Sequence, residues 1–208
     1  MARRDAEYWI HELQALFEDV GPSLTEVLDA WGCREGWLQG EAFRFFRRRG
    51  KDRYDFRVNE LPLVLDDSNG KSKKADLAFY VDNELACFGE LKLYGTAGYY
   101  AKNLTGGAQL GPYLAKVNAG ETVVFRNDAS LEKEAQGGLL WDYYRLVKHQ
   151  NSKNAGVSRL LVLVLDRREQ PDDFGRVISN VEFEKPAKVL LSSPALLVKV
   201  WALATPTV

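Results

Sequence analysis

Sulfur and imidazole are scarce in this chain of 208 residues, which has two cysteines, one methionine and two histidines. Cys33 and Cys87 cannot make a disulfide framework, and Cys87 lies inside an apolar run suited to a core strand, so free thiols in a reducing compartment are expected. His11 and His149 stand far apart without metal-ligand spacing. Long apolar runs are also missing, and Met1-Ala2-Arg3-Arg4-Asp5 leads into an amphipathic segment. The expectation is a cytoplasmic protein with no membrane partner. Charge of one sign is absent too: 28 Lys and Arg against 29 Asp and Glu give a net charge of −1. That balance does not announce a nucleic-acid binder, but it leaves room for a local basic groove compensated elsewhere. Gly106-Gly107 and Gly137-Gly138 lack the strand, spacing and lysine of a phosphate loop, and no nucleophilic serine or cysteine motif is visible.

Apolar material is plentiful, at 46% hydrophobic and 12% aromatic residues, enough for a single large core. One domain over 1–208 is the simplest expectation, with residues 1–34 as an N-terminal helical extension. Tyr8, Trp9, Leu13, Leu16 and Phe17 recur at helical spacing up to Gly21-Pro22, which predicts a helix end. Ser23 with Glu26 then reads as the capping box of a second short helix through Trp31. A third helix is predicted from Glu35 to Arg49. Strands are predicted at Tyr54 to Leu65, at two apolar runs around Asp82-Asn83-Glu84, at Arg159 to Asp166 and at Val189 to Leu203. Tyr99 to Val117 and Leu131 to Gln150 read as helical in part, and Thr122 to Arg126 as a short strand. The run Leu160 to Leu165 is apolar throughout, as in a central parallel strand buried on both faces. Helices, three strands, helix and strand in that order suit an α/β sandwich around a mixed sheet.

The hairpin around Asn83 carries the chemistry. If the chain reverses there with Val81 facing Leu85, the same register sets Asp76 opposite Glu90, with Cβ atoms about 5 Å apart. Strand periodicity adds Lys92 to that face. The opposite face, Leu77, Phe79, Val81, Leu85, Cys87, Leu91 and Leu93, is apolar and suits a core. Two carboxylates at this distance require a cation, a proton or an ammonium between them, and a hard divalent cation with oxygen ligands answers this best. The alternative is a surface hairpin whose Asp, Glu and Lys are merely solvated.

Asp76, thirteen intervening residues and then Glu90-Leu91-Lys92 resemble the core motif of the PD-(D/E)XK nucleases, the restriction-endonuclease-like superfamily. Ala75 departs from that motif by replacing the proline before the aspartate. The resemblance implies a restriction-endonuclease-like α/β core, a mixed central sheet flanked by helices. It also implies a Mg²⁺ ion, with Mn²⁺ as a substitute, held by Asp76, Glu90 and the Leu91 carbonyl, with Lys92 beside the attacking water. Glu41, in the helix upstream, is similar to the further glutamate of that family, with a salt-bridged glutamate as its alternative reading. The implied activity is hydrolysis of DNA phosphodiester bonds in restriction, defence or repair, with RNA as another substrate class and a homodimer as one assembly. Basic runs bracket these acids: Arg44, Arg47, Arg48, Arg49, Lys51 and Arg53 on one side, and Lys71, Lys73 and Lys74 on the other. Of these, Arg47, Arg48, Lys73 and Lys74 are the candidates for tracking a phosphate backbone. Gln109 and Lys102 are further candidates for phosphate contact, with plain surface positions as the alternative. Two other readings stay open: a catalytically silent nuclease-like module that binds nucleic acid or protein, and a cytosolic interaction protein.

Overall fold

The computed structural model describes residues 4–29, 34–63, 73–94, 123–124, 139–148, 156–168, 181–182 and 186–203. Apolar residues at helical spacing near the N-terminus form α1 (Ala6–Val27), whose Asp5 cap accepts a hydrogen bond from the Tyr8 N–H at 3.0 Å. Contrary to the sequence expectation, Gly21-Pro22 does not end this helix, and no second helix begins at Ser23. Pro22 forfeits one intrahelical bond, but Val20, Gly21, Leu24 and Leu28, on both sides of it, are buried, and their packing outweighs the loss. Gly21 is tightly placed, since a Cβ there would meet the Leu191 side chain at 3.1 Å.

The second helix, α2 (Arg34–Arg49), buries Leu38, Ala42 and Phe46. The expected strand from Tyr54 to Leu65 is two strands, β1 (Asp55–Val58) and β2 (Pro62–Leu63). Asn59 divides them in a left-handed conformation with φ of 53°. After β2, the chain forms β3 (Lys73–Lys74), β4 (Leu77–Val81), β5 (Glu84–Tyr94), β6 (Val123–Val124) and α3 (Leu139–Lys148). It continues through β7 (Ser158–Asp166), β8 (Val181–Glu182), β9 (Lys188–Ser192) and β10 (Leu196–Leu203). Six strands share one sheet in the order β1-β4-β5-β7-β10-β9, and β2-β3 and β6-β8 make two small ribbons.

Within the large sheet only β5 and β7 run parallel, as the unbroken apolar sequence of β7 predicts; the other pairs are antiparallel. The fold is thus α/β with a mixed six-stranded sheet. Helices α1 and α2 join Leu77, Phe79, Leu91, Val162 and Val198 in one core cluster. The rings of Trp9, Phe46 and Phe56 stand 4.7 to 5.0 Å from Phe79 at its centre. Helix α3 packs against β5 and β7 and buries Leu139, Tyr143 and Leu146. Helix α1 contacts β7, β9 and β10 and supplies part of the main core.

A buried clamp ties these elements together. Glu12 of α1 accepts hydrogen bonds from the Tyr54 hydroxyl at 2.6 Å, Arg49 Nε at 2.9 Å and Arg53 Nη1 at 3.3 Å. Burial opposes ionisation of Glu12, but these donors overcome it and hold the carboxyl below its ordinary range. Among the described residues no helix is long and apolar enough to cross a membrane. Tyr99 to Val117, with Lys102 and Gln109, lies outside the described residues, as do Cys33, Lys71 and His149.

Gly89 has no room for a side chain, because a Cβ would fall 2.5 Å from the Leu160 carbonyl oxygen, its partner across the β5–β7 pair. Gly89→Ala is expected to destabilise the protein by about 2 kcal/mol or more, as overpacking against immovable backbone does. Urea unfolding measures the loss, and an unchanged midpoint would contradict the close approach.

Candidate metal and phosphate site

The hairpin that builds the site turns more tightly than its sequence predicts. Asp82 and Asn83 both adopt left-handed φ values, 51° and 64°, as in a type I′ two-residue turn. Val81 therefore pairs with Glu84 and not with Leu85. A register shift between Phe79 and Tyr80 then inserts one extra residue on β5, so that Phe79 pairs with Cys87 and Leu77 with Gly89. The two departures cancel, and the expected facing of Asp76 and Glu90 is restored. Their trace is Ala86, expected on the charged face but buried beside Cys87 in the core cluster.

Asp76 precedes β4 and is fixed from two directions. The Leu91 N–H donates to its Oδ2 at 2.7 Å, and Gln39 Nε2 of α2 donates to its Oδ1 at 3.0 Å. Gln39 in turn accepts from Asn59 Nδ2 at 2.9 Å, so the left-handed residue that ends β1 steadies the acid indirectly. Glu90 lies against Asp76, and its Oε2 meets Arg145 Nη2 of α3 at 3.2 Å. The same nitrogen donates to Asp142 Oδ1 at 2.6 Å, and Lys92 Nζ lies 3.1 Å from Asp142 Oδ2. Lys92, with 18% of its side chain exposed against 3% for Glu90 and 4% for Asp142, stands on the open side of this cluster.

The electrostatics follow from burial and crowding. Burial, reinforced by Asp76 and Asp142, pushes the Glu90 carboxyl well above its ordinary value. Burial also raises Asp76, although Glu90 and the Leu91 N–H favour its charged form. Both carboxyls are thus shifted toward their neutral forms, Glu90 the further of the two. Burial alone would depress the Lys92 ammonium, but Asp142 and Glu35 overturn that and keep it above its usual value. Lys92 is thus a held cation and not a free base.

Glu35 was not singled out by the sequence pattern, yet it lies within electrostatic reach of Asp76, Lys92, Asp142 and Arg145. It sits one turn before Gln39 on α2, so the two share a face of the helix. Glu41, six residues past Glu35, falls on a different face, where Arg44 holds it through Nε at 3.0 Å and through Nη2. The helix period, not the apolar neighbours Leu38 and Phe45, decides which glutamate reaches the hairpin. Asp142 and Arg145 were also missed. Their signal was a charged i, i+3 pair set within the apolar register of Leu139, Tyr143 and Leu146.

With every group ionised, the four acids Glu35, Asp76, Glu90 and Asp142 exceed the cations Lys92 and Arg145 by two negative charges. Two protons or one divalent cation would balance the cluster. Glu90 Oε1 is buried and has no hydrogen-bond partner among the described residues, which leaves an acceptor suited to either. Among the described residues, no three His, Cys, Asp or Glu side chains are grouped so as to hold a metal by themselves. A cation here would rely on Asp76, Glu90 and a backbone carbonyl.

The basic run of α2 is largely spoken for. Arg47 donates to Asp55 at 2.6 Å, Arg44 pairs with Glu41, and Arg49 and Arg53 serve Glu12. Arg48 and Lys51 are exposed and have no acidic partner among the described residues. Lys73 and Lys74 form β3, where Lys74 is exposed, two residues before Asp76. Comparison of the chain with family models, curated proteins and solved structures found no match.

Burial and Asp76 push the Glu35 carboxyl up to about 7 from an ordinary value of 4.5, against the pull of Lys92. Between those two values the folded chain keeps a proton that the unfolded chain has released, so this contribution to stability declines as pH rises through the window. Glu35→Gln abolishes the titration. In EDTA, thermal melts of the variant and the wild type are expected to coincide near the lower limit and diverge in favour of the variant as pH rises. A constant difference across the window would contradict the assignment.

Proposed function

We propose that this protein is a divalent-metal-dependent endonuclease of the restriction-endonuclease-like type, hydrolysing phosphodiester bonds in DNA. The observation that carries the reading is the meeting of Asp76 and Glu90 at one end of a mixed sheet, with Lys92 beside them and two negative charges in excess. Oxygen donors from Asp76, Glu90 and the Leu91 carbonyl fit a hard cation, and Mg²⁺ or Mn²⁺ would supply neutralisation of the phosphate and an acidified water. Lys92, kept cationic by Asp142, stabilises charge on the phosphate in flight and orients the attacking water without removing its proton. Glu35 takes the part first assigned to Glu41, as the acid from the upstream helix. Arg48, Lys73 and Lys74 would meet the DNA backbone, and Arg47 would do so on leaving Asp55.

One observation favours the silent-module alternative. Arg145 already contacts Glu90, so a guanidinium does part of a cation's work at this carboxylate. Plasmid DNA incubated with Mg²⁺, Mn²⁺ or EDTA separates the readings. Metal-dependent cutting is expected, reduced by about 10²-fold or more in Asp76→Ala and Lys92→Ala, the scale seen when charge-stabilising groups are removed. Glu35→Gln should also impair it, and Glu41→Gln should leave it near wild type. A shift in DNA mobility with no cutting under any metal would support the silent module, and neither effect would point to a protein partner.

A further inference from the structure

Arg145 is buried on α3, yet only Nη2 of its guanidinium is engaged. Nε and Nη1 are buried with no hydrogen-bond partner among the described residues. A guanidinium that holds one carboxylate firmly frequently does so with a two-pronged fork, and charge-assisted bonds run about 2.7–2.9 Å. Here one nitrogen serves two acids unequally, Asp142 at 2.6 Å and Glu90 at 3.2 Å. Asp142 is the anchor and Glu90 the loose contact. On the far side of that loose contact, Glu90 Oε1 is itself buried and unpartnered. Arg145 thus leans on the carboxylate that a divalent ion would require, and two cations on one carboxylate repel each other.

We propose that Arg145 is a resident counter-ion that competes with a divalent cation for Glu90, staying on Asp142 while it yields Glu90. The inference rests on the cation reading given above and deepens it: the affinity of the site is set by a side chain of α3 that is not itself a ligand. Lys92 shares the Asp142 anchor but has no ion pair with Glu90 among the described residues, so it serves as the control for charge alone. Loss of Arg145 frees a ligand and removes a charge, whereas loss of Lys92 only removes a charge.

Mn²⁺ binding to the full chain, followed by electron paramagnetic resonance of the free ion, tests this without recourse to activity. Arg145→Met is expected to bind Mn²⁺ about tenfold or more tightly than wild type, which corresponds to about 1.4 kcal/mol. Lys92→Met should gain clearly less. If the methionine variant does not fold, Arg145→Lys serves, because an ammonium held on Asp142 is too short to reach Glu90 and should also tighten binding. Equal gains in the Arg145 and Lys92 variants, or no gain in a folded Arg145 variant while wild type binds, would overturn the competition and leave the cation reading intact. No Mn²⁺ binding by any form at millimolar concentration would overturn both.

Discussion

Strand β5 is bonded along both edges, antiparallel to β4 and parallel to β7, and everything at the site depends on that confinement. A strand held on both sides cannot slip without turning every side chain to the opposite face. Glu90 and Lys92 are therefore fixed toward α3, and Leu91 between them is fixed in the core with α1 and α2. Gly89 allows the close approach to β7 that makes this possible. The Leu91 N–H then reaches outward to Asp76, tying the start of one strand to the end of the next.

Burial of opposed charges is the second organising theme. Glu12 and the Asp76–Glu90 pair are both buried acids, but they are resolved in different ways. Glu12 receives three donors and stays ionised, which is how a buried carboxylate becomes a structural clamp between α1, α2 and β1. Asp76 has its two donors, but Glu90 Oε1 has none among the described residues, and burial with the crowding of Asp76 and Asp142 pushes the Glu90 carboxyl well above its ordinary value. Under-satisfied acids of this kind cost stability and are the arrangement from which cation and proton chemistry is built. The two sites, made from similar residues, thus differ in how fully their acids are satisfied.

Much of the fold was legible from pattern. The fully apolar Leu160–Leu165 run announced a central parallel strand, and the apolar alternation on either side of Asp82-Asn83 announced the hairpin. Boundaries were misread where tertiary contacts overrode local signals. Pro22 sits inside α1 because the residues around it are buried, and Asn59 breaks a strand that composition would have continued. Facing of Asp76 and Glu90 came through despite a wrong turn, since a shorter loop and a compensating bulge shift the register in opposite senses.

The sequence by itself determined the strand pair, its apolar face and the clustering of Asp76, Glu90 and Lys92 at one end of it, because a period of two residues is a local property of the chain. Tertiary structure alone decided which other charges join them. Glu35, Asp142 and Arg145 come from helices distant in sequence, and only the packing of α2 and α3 around the sheet sets which of their faces meets β5. It also decided that Arg47 and Arg49 of α2, and Arg53 beyond it, serve acids of the fold itself, since ion pairs between elements close only when the elements are packed.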